Sequence, residues 1–378
     1  MSGSNSSSDG AKKGNGTDRR TALKHILGLP VLGGLSAGFG AGFCAPLAEE
    51  RPLLAEEAKK AAEASGGDNA NGTKNAQAVQ PDATSGATRT SWDPPDTATL
   101  KAKIPHAKIG DLEISRLILG GNLIGGWAHS RDLVYVSELV KRYHTKEKVF
   151  ETFQIAEACG INTFMGNPVM NKMLEEYWRW TDGKMQFISD CGGGGGSTMQ
   201  DHVRAAIDFG CDACYLHGGM ADRFAADKEF DTVAECLEIM HENGYPAGIG
   251  AHYQPTVDTF VAAGIIPDFW MTTFHEGNYW SASAATEHDN IFCREPNETR
   301  AFFESSETPW IAFKVLSAGA IAPDVGFRAA LAAGADFLCV GMYDFQIIND
   351  CNLFHDVSQN LEGRKRRMLE TVSPEAVG

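Results

Sequence analysis

From Lys101 onward, short apolar runs alternate with longer amphipathic segments. Parallel strands need helical crossovers and covered faces, so this alternation constrains the fold more than any other feature. We predict a closed (β/α)₈ barrel of about 250 residues, because a doubly wound sheet would have fewer strands and a glycine-rich first turn. The predicted strands are Arg116–Gly120, Thr163–Met165, Met185–Ser189, Ala213–His217, Ala247–Ala251, Phe269–Thr273, Trp310–Val315 and Phe337–Gly341.

Helical spacing of apolar residues fills the segments between these runs, and a glycine ends several of them. Before the first strand, Ile104–Ile109 and Leu112–Ile114 flank a Gly-Asp pair and predict a β-hairpin. The long stretches Asn122–Val136 and His275–Arg294 are predicted as functional loops, because structureless loops of this length usually carry function. The predicted helices are Lys146–Cys159, Asn171–Trp180, Met199–Phe209, Thr232–Asn243, Val257–Ala263, Pro296–Glu304, Phe327–Ala333 and a last one that starts at Phe345.

The composition excludes several classes of protein. The chain has 378 residues, 33 Lys and Arg against 49 Asp and Glu, and a net charge of −16. Such an acidic chain would be repelled by phosphates, so we expect no nucleic-acid partner. A hydrophobic content of 43% can build a full core, and nine cysteines are too few for a disulfide scaffold.

The N-terminal segment has the pattern of an export signal. Asp18–Lys24 resembles the twin-arginine consensus, and Ile26–Ala48 contains no charged residue. We therefore expect 1–48 to be a twin-arginine signal that meets the translocation machinery and directs the protein to the periplasm or cell envelope. Membrane anchoring through an uncleaved segment stays open. Residues 49–101 are poor in large apolar side chains and predict a flexible linker, and 102–378 predict the barrel with its hairpin.

In such a barrel, the carboxyl ends of all strands form one mouth, where catalytic side chains are found. Three predicted strands are ended or followed by histidine, and two others by lysine and aspartate, which is an unusual concentration of titratable groups. The predicted catalytic residues are His217, Lys314 and Asp190. The side chains with the ligand types of a divalent metal site are His252, His275 and Glu276.

Cys211 and Cys214 have the spacing of a redox pair. A thioredoxin-like role requires a helix N-terminus that lowers a thiol pKa, and these residues instead lead into a predicted strand. We therefore interpret them as buried structural thiols. The five glycines at 192–196 are not a Walker loop, because the Lys-Ser/Thr pair is missing.

The barrel region resembles the aldo/keto reductases over roughly residues 102–355. The likeness lies in Ile114–Asn122, Glu157–Phe164, Cys211–His217 and Val340–Met342. It implies the same barrel, carbonyl reduction with NADP(H), and a catalytic role for His217 at the end of the fourth strand. The cofactor-binding residues that it implies are Asn122, Gly341, Met342 and Asp344. Where that family has catalytic Asp, Tyr and Lys, this chain has Met165, Met170 and Asp190-Cys191.

Three functions follow from these observations and stay open at the level of sequence. The first is a divergent oxidoreductase that uses NADP(H) on a small polar carbonyl or sugar-like substrate. The second is a lyase, isomerase or hydrolase of a sugar-like substrate assisted by a divalent metal. The third is a non-catalytic binding protein that reuses the barrel.

Overall fold

The structure is a computed structural model that describes residues 96–127, 133, 135–193, 197–279, 282 and 293–372. The predicted export signal at 1–48 and nearly all of the predicted linker at 49–101 lie outside these residues. None of the helices in the described ranges is long and apolar enough to span a membrane.

The predicted barrel is confirmed. Eight parallel strands close into a barrel in which each strand pairs with the next one along the chain. Closure is made by the last strand, which pairs with the first through Leu338 and Leu117 and with its predecessor through Phe337 and Ile311. The strands are β3 (Leu117–Gly120), β4 (Thr163–Gly166), β5 (Gln186–Ser189), β6 (Ala213–Leu216), β7 (Ala247–Ala251), β8 (Phe269–Thr273), β9 (Trp310–Phe313) and β10 (Phe337–Val340).

The predicted hairpin precedes the barrel as β1 (His106–Ile109) and β2 (Leu112–Ser115), an antiparallel pair. Its apolar side chains Ala107 and Ile114 are fully buried in one cluster with residues from the barrel strands. The hairpin therefore extends the inner core of the barrel, and its turn at Gly110 uses a left-handed φ of 58°.

Ten helices of eight or more residues lie within the described ranges, and two of them were not predicted. One, Val136–Tyr143, begins at the last residue of the predicted loop Asn122–Val136. The other, Gly218–Asp227, begins with two glycines, which have low helix propensity and hide it in the sequence. The helices are α1 (Val136–Tyr143), α2 (Lys146–Ala158), α3 (Asn171–Trp180), α4 (Met199–Phe209), α5 (Gly218–Asp227), α6 (Phe230–Glu242), α7 (Gln254–Ala262), α8 (Pro296–Ser305), α9 (Pro323–Ala333) and α10 (Asp344–Gln359).

The apolar core has two layers, as the alternation of side chains along strands requires. The inner layer fills the barrel and includes Ile188, Tyr215, Met271 and Ile311. The outer layer lies between strands and helices and is the larger of the two. The parity of each strand therefore tells which of its residues face the barrel axis.

The segment after α10 is held by a buried charge network. Arg364 and Arg366 both donate to the carboxylate of Asp336, at 3.1 and 2.7 Å, and Asp336 is fully buried. The same carboxylate accepts the backbone N–H of Trp310, and Arg116 donates to the carbonyls of Asp336 and Leu369. These bonds fasten the C-terminal segment to the strands.

Candidate active site

Strand parity directs a set of polar side chains toward the barrel axis at the mouth. His217 lies two residues beyond Tyr215, and Thr273 two beyond Met271, both of which belong to the inner layer. The same step of two connects Ile188 with Asp190. The positions of the strand ends in the sequence predict this convergence.

His252 is fixed by Asp222, a residue of α5. Nδ1 of His252 lies 2.8 Å from Oδ2 of Asp222, and the backbone N–H of His252 donates to Oδ1 at 3.2 Å. The hydroxyl of Thr256 also donates to Oδ1, at 2.8 Å. A carboxylate beside Nδ1 requires the proton on that nitrogen, so Nε2 of the neutral ring is the acceptor.

His217 has the complementary arrangement. Its Nδ1 accepts the backbone N–H of Gly219 at 3.2 Å, so in the neutral ring the proton resides on Nε2. The ring centroids of His217 and His252 are 6.4 Å apart. Burial, and then the charge on His252, lower the pKa of His217, with Lys314 adding to the effect and Asp222 opposing it. The neutral form is therefore favoured.

Lys314 follows β9 in a left-handed conformation, with φ of 58°. This turn ends the strand after Phe313, and the ammonium lies 5.8 Å from the centroid of the Phe313 ring. Its positive charge contributes to lowering the pKa of both His217 and His275, which places it near both imidazoles.

His275 is almost completely enclosed, with 2% of its surface exposed. Burial lowers the pKa of His275 to about 4; the backbone of Glu276 opposes this effect and Lys314 adds to it. The ring is therefore neutral around pH 7, in contrast to an exposed histidine near its ordinary value.

Asp190 is buried, and Asn167 and the backbone N–H of Gly192 donate to its Oδ1 at 3.1 and 2.7 Å. Burial raises the pKa of Asp190 to about 6, and these two donors only partly oppose it. The nearby charge of Asp190 also contributes, after burial, to raising the pKa of Tyr215.

A cluster of thiols lies next to this carboxylate. Sγ of Cys211 and Sγ of Cys214 are 3.2 Å apart, and both residues are buried as the sequence predicts. Bonding to Cys191 and then Cys211, together with burial, raises the pKa of Cys214 well above its ordinary value. A thiol of this kind is a poor nucleophile, so the cluster is not the reactive centre.

The three predicted metal ligands are not gathered around one point. Glu276 is half-buried and pairs with Arg300 at 2.7 Å, while His252 is bonded to Asp222. Across the described ranges, no group of three His, Cys, Asp or Glu side chains has an arrangement that could hold a metal ion. The donors that the structure describes at the mouth therefore do not fit a metal site.

The residues predicted to bind the dinucleotide do not form a phosphate site. Asn122 is exposed in a single helical turn, and Met342 is fully buried. Asp344, the first residue of α10, accepts the hydroxyl of Tyr143 at 2.5 Å and the ammonium of Lys148 at 3.1 Å. Burial works against them, yet these two donors hold the pKa of Asp344 below its ordinary value. An ionised carboxylate at this helix N-terminus would repel a phosphate.

Gly341, the remaining residue of this set, is exposed beside the same turn. A Cβ at this position would lie 3.1 Å from Cβ of Leu123. The close approach of Leu123 gives a packing reason for the glycine.

Two residues of the site are not among the predicted catalytic or ligand residues. Asp222 is carried by the helix that the glycine pair hides, so no signal in the sequence connects it with His252. Asn167 follows β4 at the mouth with the parity of Met165, and strand parity alone could have identified it.

Two surface clefts of about 410 Å³ each lie away from the mouth. One is lined by α6 and the turn at Gly264–Ile266, and the other by residues of α2 and α3 with 181–183. Neither cleft is lined by His217, His252, His275, Lys314 or Asp190. The candidate site is therefore defined by the side chains at the mouth and not by a cleft.

The strand pairing defines the class of this protein: a closed (β/α)₈ barrel. Among solved structures, a protein assigned as an aldo-keto reductase from Pseudomonas aeruginosa is 15% identical, with a TM-score of 0.48, over 69% of this chain and 99% of that chain. The glycerol dehydrogenase of Gluconobacter oxydans is 12% identical, with a TM-score of 0.46, over 74% and 100%.

An enzyme of different chemistry has a similar backbone. The phospho-2-dehydro-3-deoxyheptonate aldolase of Thermotoga maritima is 14% identical, with a TM-score of 0.40, over 70% of this chain and 76% of that chain. No protein-family model matches the sequence, and neither does any curated protein. The fold rests on the strand pairing itself, and these likenesses assign no activity.

Proposed function

We propose that this protein is an enzyme that performs acid–base catalysis on a small polar carbonyl or sugar-like substrate at the mouth of the barrel. The observation that carries the proposal is the pair of complementary imidazoles. His252, held by Asp222, presents an acceptor nitrogen, and His217, held by Gly219, presents a donor. Such a pair can remove a proton from one atom of a substrate while it donates to another.

The step that this geometry supports is proton transfer next to a carbonyl group. The C–H bond breaks, its proton passes to Nε2 of His252, and the electron pair forms the carbon–carbon double bond of an enediol. His217 donates from Nε2 to the carbonyl oxygen, and the nearby charge of Lys314 stabilises the developing negative charge. Asp222 stabilises the imidazolium that forms on His252. This is the chemistry of an isomerase or lyase.

A divergent oxidoreductase is the second candidate. The histidine at the end of the fourth barrel strand favours it, because His217 is the catalytic residue that the resemblance to aldo/keto reductases implies. In that reaction His217 or Lys314 would supply the proton to the carbonyl oxygen. The surroundings of Asp344 do not fit the phosphate of NADP(H), so no step through a dinucleotide is derived.

Proton exchange distinguishes the two candidates. In deuterated water, the full chain is incubated with small hydroxyketones and 2-oxo acids, with and without NADP(H), and exchange of the hydrogen next to the carbonyl is followed by NMR. We expect exchange without a dinucleotide, lost in His252→Gln. His241→Gln is the matched control, because His241 forms an Asp–His pair with Asp268 at 2.8 Å on the surface.

Two results contradict the proposal. Consumption of NADPH without any proton exchange would replace it with the oxidoreductase. Activity that disappears with a chelator and returns with Zn²⁺ or Mn²⁺ would replace it with the metal-assisted alternative.

We also propose that the protein is exported by the twin-arginine pathway to the periplasm or cell envelope. The support is the Arg19-Arg20 pair in front of an uncharged segment. Fractionation of cells that express the natural chain or the Arg19→Lys, Arg20→Lys variant tests this proposal. We expect retention of the variant in the cytoplasm; cytoplasmic location of both proteins would refute export.

A further inference from the structure

One side of the mouth has a concentration of buried polar atoms that lack a partner. Within the described residues, ten buried side-chain N and O atoms have no hydrogen-bond partner. Five of them belong to residues that follow or end β7, β8 and β9, three neighbouring strands: Gln254 Oε1, Thr273 Oγ1, His275 Nδ1, His275 Nε2 and Ser317 Oγ. Buried polar groups are nearly always paired, so such a concentration calls for an explanation.

Backbone strain is concentrated in the same place. Five non-glycine residues of the described chain have a left-handed φ, and three of them lie between Lys314 and Ala318, directly after β9. Lys314, Ser317 and Ala318 have φ values of 58°, 44° and 54°. Strain of this kind persists where the surroundings enforce it, and it is typical of ligand-binding segments.

The unpartnered groups of β8 face the barrel axis. Thr273 has the parity of Phe269 and Met271, both in the inner layer, and His275 is one further step of two along the chain. Both residues are 2% exposed. They therefore lie on the inside of the mouth, on the strand next to β7, which His252 follows.

The charges around this position favour a negatively charged ligand group. The ammonium of Lys314 lies 5.8 Å from the centroid of the Phe313 ring, and Phe313 is paired with Thr273 between β9 and β8. A hydroxyl, an imidazole N–H and an ammonium all donate hydrogen bonds that a carboxylate accepts readily.

We infer that Thr273, His275 and Lys314 form a subsite for the carboxylate of the substrate, which makes the substrate a small hydroxy- or oxo-carboxylate. Bound there, the carboxylate supplies acceptors to the Thr273 hydroxyl and one His275 nitrogen. Its adjacent carbon atoms then extend toward His217 and His252. This assignment rests on the proposed function for the reacting end of the molecule, and on the unpartnered donors for the carboxylate end.

Binding measured by calorimetry on the full chain tests the subsite without turnover. Pyruvate and hydroxyacetone are the matched probes, because they share the methyl ketone and differ in the carboxylate. We expect pyruvate to bind at least about tenfold more tightly, as a charge-assisted pair would require. Inorganic phosphate is the third probe. Equal affinity for pyruvate and hydroxyacetone, or phosphate as tight as pyruvate, would overturn the carboxylate assignment.

Thr273→Val separates a binding role from a structural one. The substitution removes a hydroxyl that has no partner, so we expect a higher melting temperature together with pyruvate binding weakened about tenfold. Thr272→Val is the matched control, because the Thr272 hydroxyl accepts Nε1 of Trp310 at 2.8 Å. That variant should lose melting temperature and retain its affinity for pyruvate. A lower melting temperature with unchanged affinity in Thr273→Val would refute the subsite.

The two proposals fail in different ways. Pyruvate binding that depends on Thr273 and His275, in a protein that exchanges no hydrogen, would retain the subsite and refute the proposed function. Exchange with hydroxyketones that requires His252, in a protein that does not bind pyruvate, would do the reverse. His275→Gln completes the test: its amide still donates and accepts, so it should bind pyruvate more tightly than His275→Ala does.

Discussion

The carboxylate of Asp222 and the imidazole of His252 are 2.8 Å apart although thirty residues separate them in the chain. The same carboxylate accepts the backbone N–H of His252 and the hydroxyl of Thr256. Three donors thus fix the carboxylate, which in turn fixes the tautomer of the ring. An active-site base needs this arrangement, and it brings together α5 and the carboxyl end of β7 at the mouth.

Asp222→Asn tests the role of this pair. An amide at this position can offer its N–H to Nδ1, which moves the ring proton to Nε2 and removes the acceptor. We expect a rate of proton exchange lower by about 10²–10⁴-fold, with little change in thermal stability. The control is Asp268→Asn, which changes the other Asp–His pair, with His241. A variant that keeps the natural rate would show that His252 is not the base.

Gly218→Ala tests the position of the His252 ring. A Cβ at residue 218 would lie 3.0 Å from Cε1 and 3.2 Å from Nδ1 of His252, so the ring must shift by some tenths of an ångström. Because small displacements of a base reduce the rate steeply, we expect roughly tenfold slower exchange. Gly277→Ala provides the comparison, since its Cβ would meet no atom within 4 Å. Equal rates in the two variants would contradict the requirement for this ring position.

The strands could be predicted because both faces of a parallel barrel strand are buried. Ala247–Ala251 and Phe269–Thr273 were predicted to the residue, since each is a run without charged residues between turn signals. Helix α5 could not be predicted, because Gly218 and Gly219 conceal its start and its burial against β7 stabilises it instead. Because this helix was not predicted, Asp222, the residue that holds His252 in position, was not predicted either.

The cofactor residues illustrate a different limit. The resemblance to the aldo/keto reductases implied that Asp344 binds a dinucleotide. Its actual partners, Tyr143 and Lys148, lie about two hundred residues earlier in the chain. A local pattern cannot show that distant side chains already occupy a carboxylate. For the same reason the pairing of Glu276 with Arg300 was not visible from sequence.

The buried network of Asp336 makes a prediction for stability. Asp336→Asn leaves Arg364 and Arg366 buried beside a neutral group, so we expect the free energy of unfolding to fall by about 3–5 kcal/mol. Glu304→Gln removes the carboxylate of an ion pair whose other member, Lys365, is 74% exposed, and should change the free energy of unfolding by no more than about 1 kcal/mol. Urea titration at pH near 7 measures both. A loss in Asp336→Asn as small as that of the control would show that backbone carbonyls alone hold the two arginines.

The buried carboxyl of Asp190 makes a prediction for pH dependence. Because burial raises its pKa from 3.8 to about 6, the folded protein binds its proton more tightly than the unfolded chain does. This contribution to stability therefore falls as the pH rises from 3.8 to about 6, by about 3 kcal/mol in total. His275 acts in the opposite direction over a similar range, since its pKa is lowered from 6.5 to about 4. The contribution of Asp190 is therefore measured as the difference in unfolding free energy between a variant at this position and the natural chain.

Asp190→Asn keeps an oxygen for Gly192 and cannot ionise. We expect the variant to be more stable than the natural chain above pH 6, with the difference vanishing as the pH falls to 3.8. For Asp201→Asn we expect a stability difference of the opposite sign. Bonds from the side chain and then the backbone of Thr198 lower the pKa of Asp201, so its contribution is present above the ordinary pKa and lost in acid. Urea titrations from below pH 3.8 to above pH 6 measure both differences. A constant difference for Asp190→Asn would show that burial does not raise the pKa of this carboxyl in the folded protein.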